Sequence, residues 1–136
     1  MRRFLTVIQT LFTQRRATVI APGESIPDSK SGIDFLGWFD VDWLYLIPEA
    51  TFAAVFRFCR ETGEHFPIRQ DRLKKDLVQA GISKCHAGHL TTIKRVGDHS
   101  YRVLQLSLEK VEEISGVTGV TTRNRFQVED EERDGL

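Results

Sequence analysis

The chain has 136 residues, is 40% hydrophobic and 28% charged, and balances 19 Lys/Arg against 19 Asp/Glu. This is the composition of one soluble globular domain large enough for its own core, and it excludes a fibrous, disordered or disulfide-framework protein. Its two cysteines point to a reducing cytoplasm, and no apolar run approaches the roughly 18–20 residues that a membrane span needs.

The opening MRRFLTVIQTLFTQRR places Phe4, Leu5, Val7, Ile8, Leu11 and Phe12 at helical spacing, interrupted by Thr6, Gln9 and Thr10. It reads as an amphipathic docking helix over about 2–15. A mitochondrial-type presequence is the minor alternative, but the apolar run is broken and no small-residue cleavage site follows. ATVIA (17–21) fits an edge strand, and PGESIPDSKSG (22–32) has the Pro, Gly and Ser content of a linker. IDFLGWFDVDWLYLIP (33–48) is dense in aromatics, with the FDVD centre turning between short strands at 35–39 and 43–47.

Pro48 and Glu49 suit the first turn of a helix. The following residues place Phe52, Val55, Phe56 and Cys59 on one face, with Gly63 as the stop. A second helix is predicted over about 70–80, with Leu73, Leu77 and Val78 inward and Gly81 closing it. Two β-rich runs, 89–96 and 101–108, then flank a turn with Gly97-Asp98 at its tip. A short helical turn leads into a tail ending EDEERDGL, acidic and expected to be frayed.

Charge is distributed unevenly. The segment 66–102 holds Arg69, Arg72, Lys74, Lys75, Lys84, Lys94, Arg95 and Arg102 against three acids, Asp71, Asp76 and Asp98, inside a neutral chain. The order helix, helix, hairpin is that of a winged helix-turn-helix, where the second helix faces a DNA groove and the wing touches the adjacent backbone. Packing Leu73, Leu77 and Val78 inward turns Arg69, Arg72, Lys75 and Gln79 outward, with Gln70 and Lys74 at the margin. Arg and Gln can read base edges, whereas Lys more often meets phosphate. Lys94, Arg95, His99 and Arg102 flank the wing turn, where phosphates would lie. Asp71 and Asp76 count against a dedicated reading helix unless they pair locally with Arg72, Lys74 or Lys75. The expected fold is therefore α+β: a winged helix-turn-helix with an N-terminal helix and an extra aromatic-rich β-hairpin. Its expected parts are 1–32 (helix, edge strand and linker), 33–114 (winged helix) and 115–136 (tail).

Several segments, taken in order, carry a resemblance: RFLTVIQTLFTQRRATV, LGWFD, YLIPEATFAAVFRFCRETGEHFPIRQDRLKKDLVQAG and KRVGDHSYRVLQL. Together they resemble the C-terminal winged-helix domain of replicative primase/helicase proteins of phages and mobile elements. The likeness spans roughly 3–108; the C-terminal domain of conjugative relaxases is similar more distantly. The motifs are individually loose, and GISKCHAGHL (81–90) departs from the pattern. In those families the domain is an appendage to catalytic modules. This chain has neither a GxxxxGK[ST] loop nor a primase-type acidic cluster. The resemblance therefore implies a non-catalytic domain without cofactors that binds DNA, mainly its phosphates, or docks partner proteins of a replication or transfer complex. It implies either a fragment of a longer protein or a stand-alone relative. Carried over by position, the contacts would be Arg69, Gln70, Arg72, Lys74, Lys75, Lys94, Arg95 and Arg102.

Other chemistry is weaker. Cys59, Cys85, His86 and His89 are four zinc-competent residues without paired spacing. Cys85 beside His86 lacks an orienting carboxylate. Asp34, Asp40 and Asp42 could bind metal, but FDVD is more simply turn chemistry. Trp38, Phe39, Trp43 and Tyr45 could stack on unpaired bases, but alternation assigns them mainly to core. The competing class is a protein-docking or dimerisation module. It requires an exposed patch of Phe4, Ile8, Leu11 and Trp38 or Trp43.

Overall fold

The computed structural model describes residues 2–64, 69–85 and 89–115. His86 and the tail beyond 115 lie outside them. The described chain is mixed α+β, in the order α1 (Arg2–Thr13), β1 (Ala17–Ile20), a 3-10 turn (Ser29–Ser31), β2 (Asp34–Phe39), β3 (Trp43–Leu46), α2 (Pro48–Glu61), α3 (Gln70–Gln79), β4 (Ser83–Lys84), β5 (Thr92–Val96), β6 (His99–Ser107) and α4 (Leu108–Ser115). The main sheet path is β1-β2-β3-β6-β4, with β1 parallel to β2 and the other pairs antiparallel. β5 pairs with the first half of β6, residues 99–103, while β3 and β4 pair with its second half.

Helical periodicity decides which side chains make the core. Phe4, Leu5, Val7, Ile8 and Leu11 of α1 are buried with Phe52, Val55 and Cys59 of α2 and Leu73 and Leu77 of α3. They meet Leu36, Leu44, Leu46, Leu104 and Leu106 from one face of the sheet. α1 and β1 thus share the core and sheet of the residues that follow the 22–32 segment. Phe4, Ile8, Leu11 and Trp38 are each at most 2% exposed, so the apolar patch that a docking module requires does not form from them.

The three long helices end alike. After α2 and α3, Gly63 and Gly81 take positive φ and the next residues, Glu64 and Ile82, bond back to Cys59 and Leu77. This is the Schellman arrangement. After α1 the same bonds form, Arg15 to Phe12 and Arg16 to Leu11, but with Arg15 in the left-handed conformation.

A bulge sets the faces of β2. Thr18 pairs with Phe35 and Val19 with Gly37, so Leu36 has no partner on β1. Because of this extra residue, Leu36 and Phe39 face the helices, while Phe35 and Trp38 face the other side with Tyr45, Trp43, Tyr101 and Val103. Gly37 has φ +151°, and a Cβ there would lie 1.9 Å from the Tyr45 carbonyl oxygen. Only glycine fits. Asp40 closes the β2–β3 turn: its Oδ1 accepts from the backbone of Asp42 and Trp43, and its Oδ2 accepts from the Tyr45 hydroxyl at 2.7 Å.

Candidate nucleic-acid interface

α3 begins at Gln70 after an extended Arg69 and buries Leu73 and Leu77, with Val78 half-buried. That orientation leaves Arg69, Gln70, Arg72, Lys75 and Gln79 exposed and holds Lys74 half-buried at one flank. On the opposite flank Arg72 pairs with Asp76 across one helical turn at 3.1 Å. Among the described residues, Arg72 is the one interface candidate held in an ion pair. Elsewhere Arg3 pairs with Glu64, Arg16 with Glu61 and Arg57 with Asp34.

The Lys74 flank faces the hairpin. Pro48 and Glu49 at the start of α2, Asp71 and Lys74 of α3, and His89, Leu90, Thr91 and Arg102 line one cleft of about 290 Å³. Arg102 also donates to the buried Thr91 hydroxyl at 3.3 Å, which anchors the guanidinium at the cleft wall. Proline at the first position of α2 presets φ for helix entry, and Ile47 before it offers no side-chain cap. The cleft therefore gathers Lys74, Arg102 and His89 with two carboxylates, Glu49 and Asp71.

The hairpin has two chemically different sides. Its register pairs Lys94 with Tyr101 and Val96 with His99 on one side, and Ile93 with Arg102 and Arg95 with Ser100 on the other. Strand alternation puts Arg102 on the side of Leu104 and Leu106, which face the helices. Arg95 and Arg102 therefore share the α3 side of the hairpin with Ile93, which is 60% exposed. Lys94 and His99 belong to the other side, over the aromatic cluster. There the Lys94 ammonium lies 4.4 Å from the Tyr45 ring centroid, and the His99 ring lies 6.3 Å from that of Tyr101.

Of the ten positions singled out in the sequence, Lys74 and Arg102 are thus brought into one cleft. Lys94 and His99 are separated from them by the thickness of the sheet. Glu49 and Thr91 line the cleft without having been anticipated. Glu49 comes from the first turn of α2 and Thr91 from the connection before β5, and no local pattern marks either of them.

Cys59 and Cys85 do not form a pair: Cys59 is buried, and Cys85 is exposed after β4. Burial raises the Cys59 thiol above its ordinary range, Glu64 adds to this, and Arg3 partly opposes it. Among the described residues no three His, Cys, Asp or Glu side chains gather as metal donors. No described helix is long and apolar enough to cross a membrane. In comparisons with known proteins, the chain matches no family model, no curated protein and no solved structure.

Proposed function

We propose that this chain is a non-catalytic winged helix-turn-helix domain that binds duplex DNA through α3 and the α3 side of the β5–β6 wing, mainly by its phosphates. The observation that carries the reading is the cleft that Lys74 of α3 and Arg102 of β6 both line. Two cations on rigid elements around a concave seam suit a polyanion backbone, and Arg95 and Lys75 extend the charge to either side. The topology supports it as well. β3, just before α2, bonds to β6, just after the α2–α3 pair and the β5 turn, so the helix pair is bracketed in the chain by strands that pair with each other.

Glu49 and Asp71 in the same cleft reduce its positive potential, which fits moderate affinity. The resemblance to accessory domains of mobile-element primase/helicase proteins supports a place in a replication or transfer apparatus in the cytoplasm, beside catalytic domains or partner proteins. A docking module is less well supported, since Phe4, Ile8 and Leu11 are in the core.

Fluorescence anisotropy with a random duplex at several salt concentrations tests the proposal. Engagement of Lys74, Lys75, Arg95 and Arg102 predicts a log–log slope of about −3 to −4, at roughly −0.9 per phosphate neutralised. Lys74→Ala with Arg102→Ala should bring it near −2, while Asp71→Asn should tighten binding about twofold or more. A native protein whose duplex affinity is flat with salt is incompatible with this function.

A further inference from the structure

The face of the sheet away from the helices carries chemistry that duplex binding leaves unused. Phe35 meets Trp38 edge-on at 5.1 Å, and Trp38 meets Tyr101 at 4.7 Å, so three rings form a continuous row. Beside it the Lys94 ammonium lies over Tyr45 at 4.4 Å, and the Lys84 ammonium lies over Trp43 at 5.8 Å. Trp38 is buried within the row, whereas Phe35, Trp43 and Tyr101 are half-buried and keep part of each ring in solvent. Among the described residues the hydrophobic members of the cluster come from strands and their ends, and none comes from within a helix.

Two features decide the kind of ligand. Lysines held over rings are cations already ordered, so an anion that meets them gives up less side-chain entropy than one that meets free lysines. The nearby carboxylate of Asp40 is engaged by the Tyr45 hydroxyl and two backbone amides, leaving Asp42 as the acid at that end. The face thus offers positive charge and π-surface together. Duplex DNA can use the charge but not the rings, because its bases are stacked on each other. An unpaired strand can use both.

We infer that the outer face of the sheet, built on Phe35, Trp43, Tyr101, Lys84 and Lys94, binds an unpaired nucleic-acid strand. This surface is separate from the α3 cleft and does not depend on it. Both tryptophans of the chain belong to the cluster, so intrinsic fluorescence reports its occupancy directly.

The test titrates the full chain with oligo-dT of about 15 nucleotides, with a random duplex and with poly-glutamate of similar charge, at the same low salt. Oligo-dT should quench the tryptophans, while the duplex and the polypeptide leave them largely unchanged. Lys84→Gln with Lys94→Gln should weaken oligo-dT binding about tenfold. Lys74→Ala with Arg102→Ala should leave the quench intact, even if duplex binding is lost. An absent quench overturns the inference, as does one that the Lys84/Lys94 variant retains at full affinity. An equal quench by poly-glutamate also overturns it and assigns the face to an acidic protein. Should the Lys84/Lys94 variant fail to fold, as judged by circular dichroism, the comparison of the three probes on the native chain decides by itself.

Discussion

Lys94 and Arg95 are adjacent in β5 and project to opposite faces of the β5–β6 hairpin. Lys94 lies over the Tyr45 ring, and Arg95 stands on the side of Arg102 and α3. A basic pair that looks like one patch in the sequence is therefore divided between two surfaces.

This division predicts unequal consequences for duplex binding. Arg95→Ala should lower both affinity and the salt slope, the latter by about one unit. Lys94→Ala should leave the duplex slope unchanged. Anisotropy over a salt series measures both, and equal losses for the two variants would contradict the proposed use of the α3 side of the hairpin.

Among the described glycines, Gly37 is the position least tolerant of a side chain. At φ +151°, the Cβ of Gly37→Ala would lie 1.9 Å from the Tyr45 carbonyl, a backbone atom that cannot swing aside. The β2–β3 pairing must then open or shift, at a cost of about 3 kcal/mol or more. The expected drop in melting temperature is about 10 °C or more for a domain of this size. Gly97→Ala, at a positive φ but with nothing within 4 Å of its Cβ, is the control and should cost much less. Similar melting temperatures for the two variants would remove the steric explanation.

Tyr45 should make stability depend on alkaline pH. Burial first, then the hydrogen bond to Asp40 and the negative charges of Asp40 and Asp42, hold its hydroxyl far above the ordinary tyrosine range. The unfolded chain releases this proton near pH 10, while the folded one retains it. The contribution is thus fully present below about pH 10 and is lost progressively as pH rises above that value. Denaturant midpoints between pH 8 and 11 should fall in the native protein, and Tyr45→Phe should flatten that fall. An unchanged slope in Tyr45→Phe would show that other groups carry it.

Local signals were strong where one period ran unbroken. The apolar spacing of Phe4 to Leu11, the Pro48 start and Gly63 stop of α2, the Leu73/Leu77 pair with Gly81, and the Gly97-Asp98 turn each mark an element within a residue or two of its observed ends. β4 was invisible, since Ser83 and Lys84 become a strand only through Leu106 and Gln105. The bulge at Leu36 was hidden too, because it exists only relative to β1.

The sequence by itself determined the order of the longer elements, the α+β class, the buried side of α1, α2 and α3 and the concentration of cations after residue 66. These depend on spacing along the chain, which hydrophobic burial reads directly. Tertiary structure decided which cations share a surface. Strand alternation alone separates Lys94 from Arg95; pairing with β6 decided that Arg95 rather than Lys94 lies on the helix side, and helix packing brought Lys74 to Arg102 with Glu49 and Asp71 beside them. Residues on one face of a sheet are chosen by their partners across the strands, and no periodicity within a single strand encodes those partners.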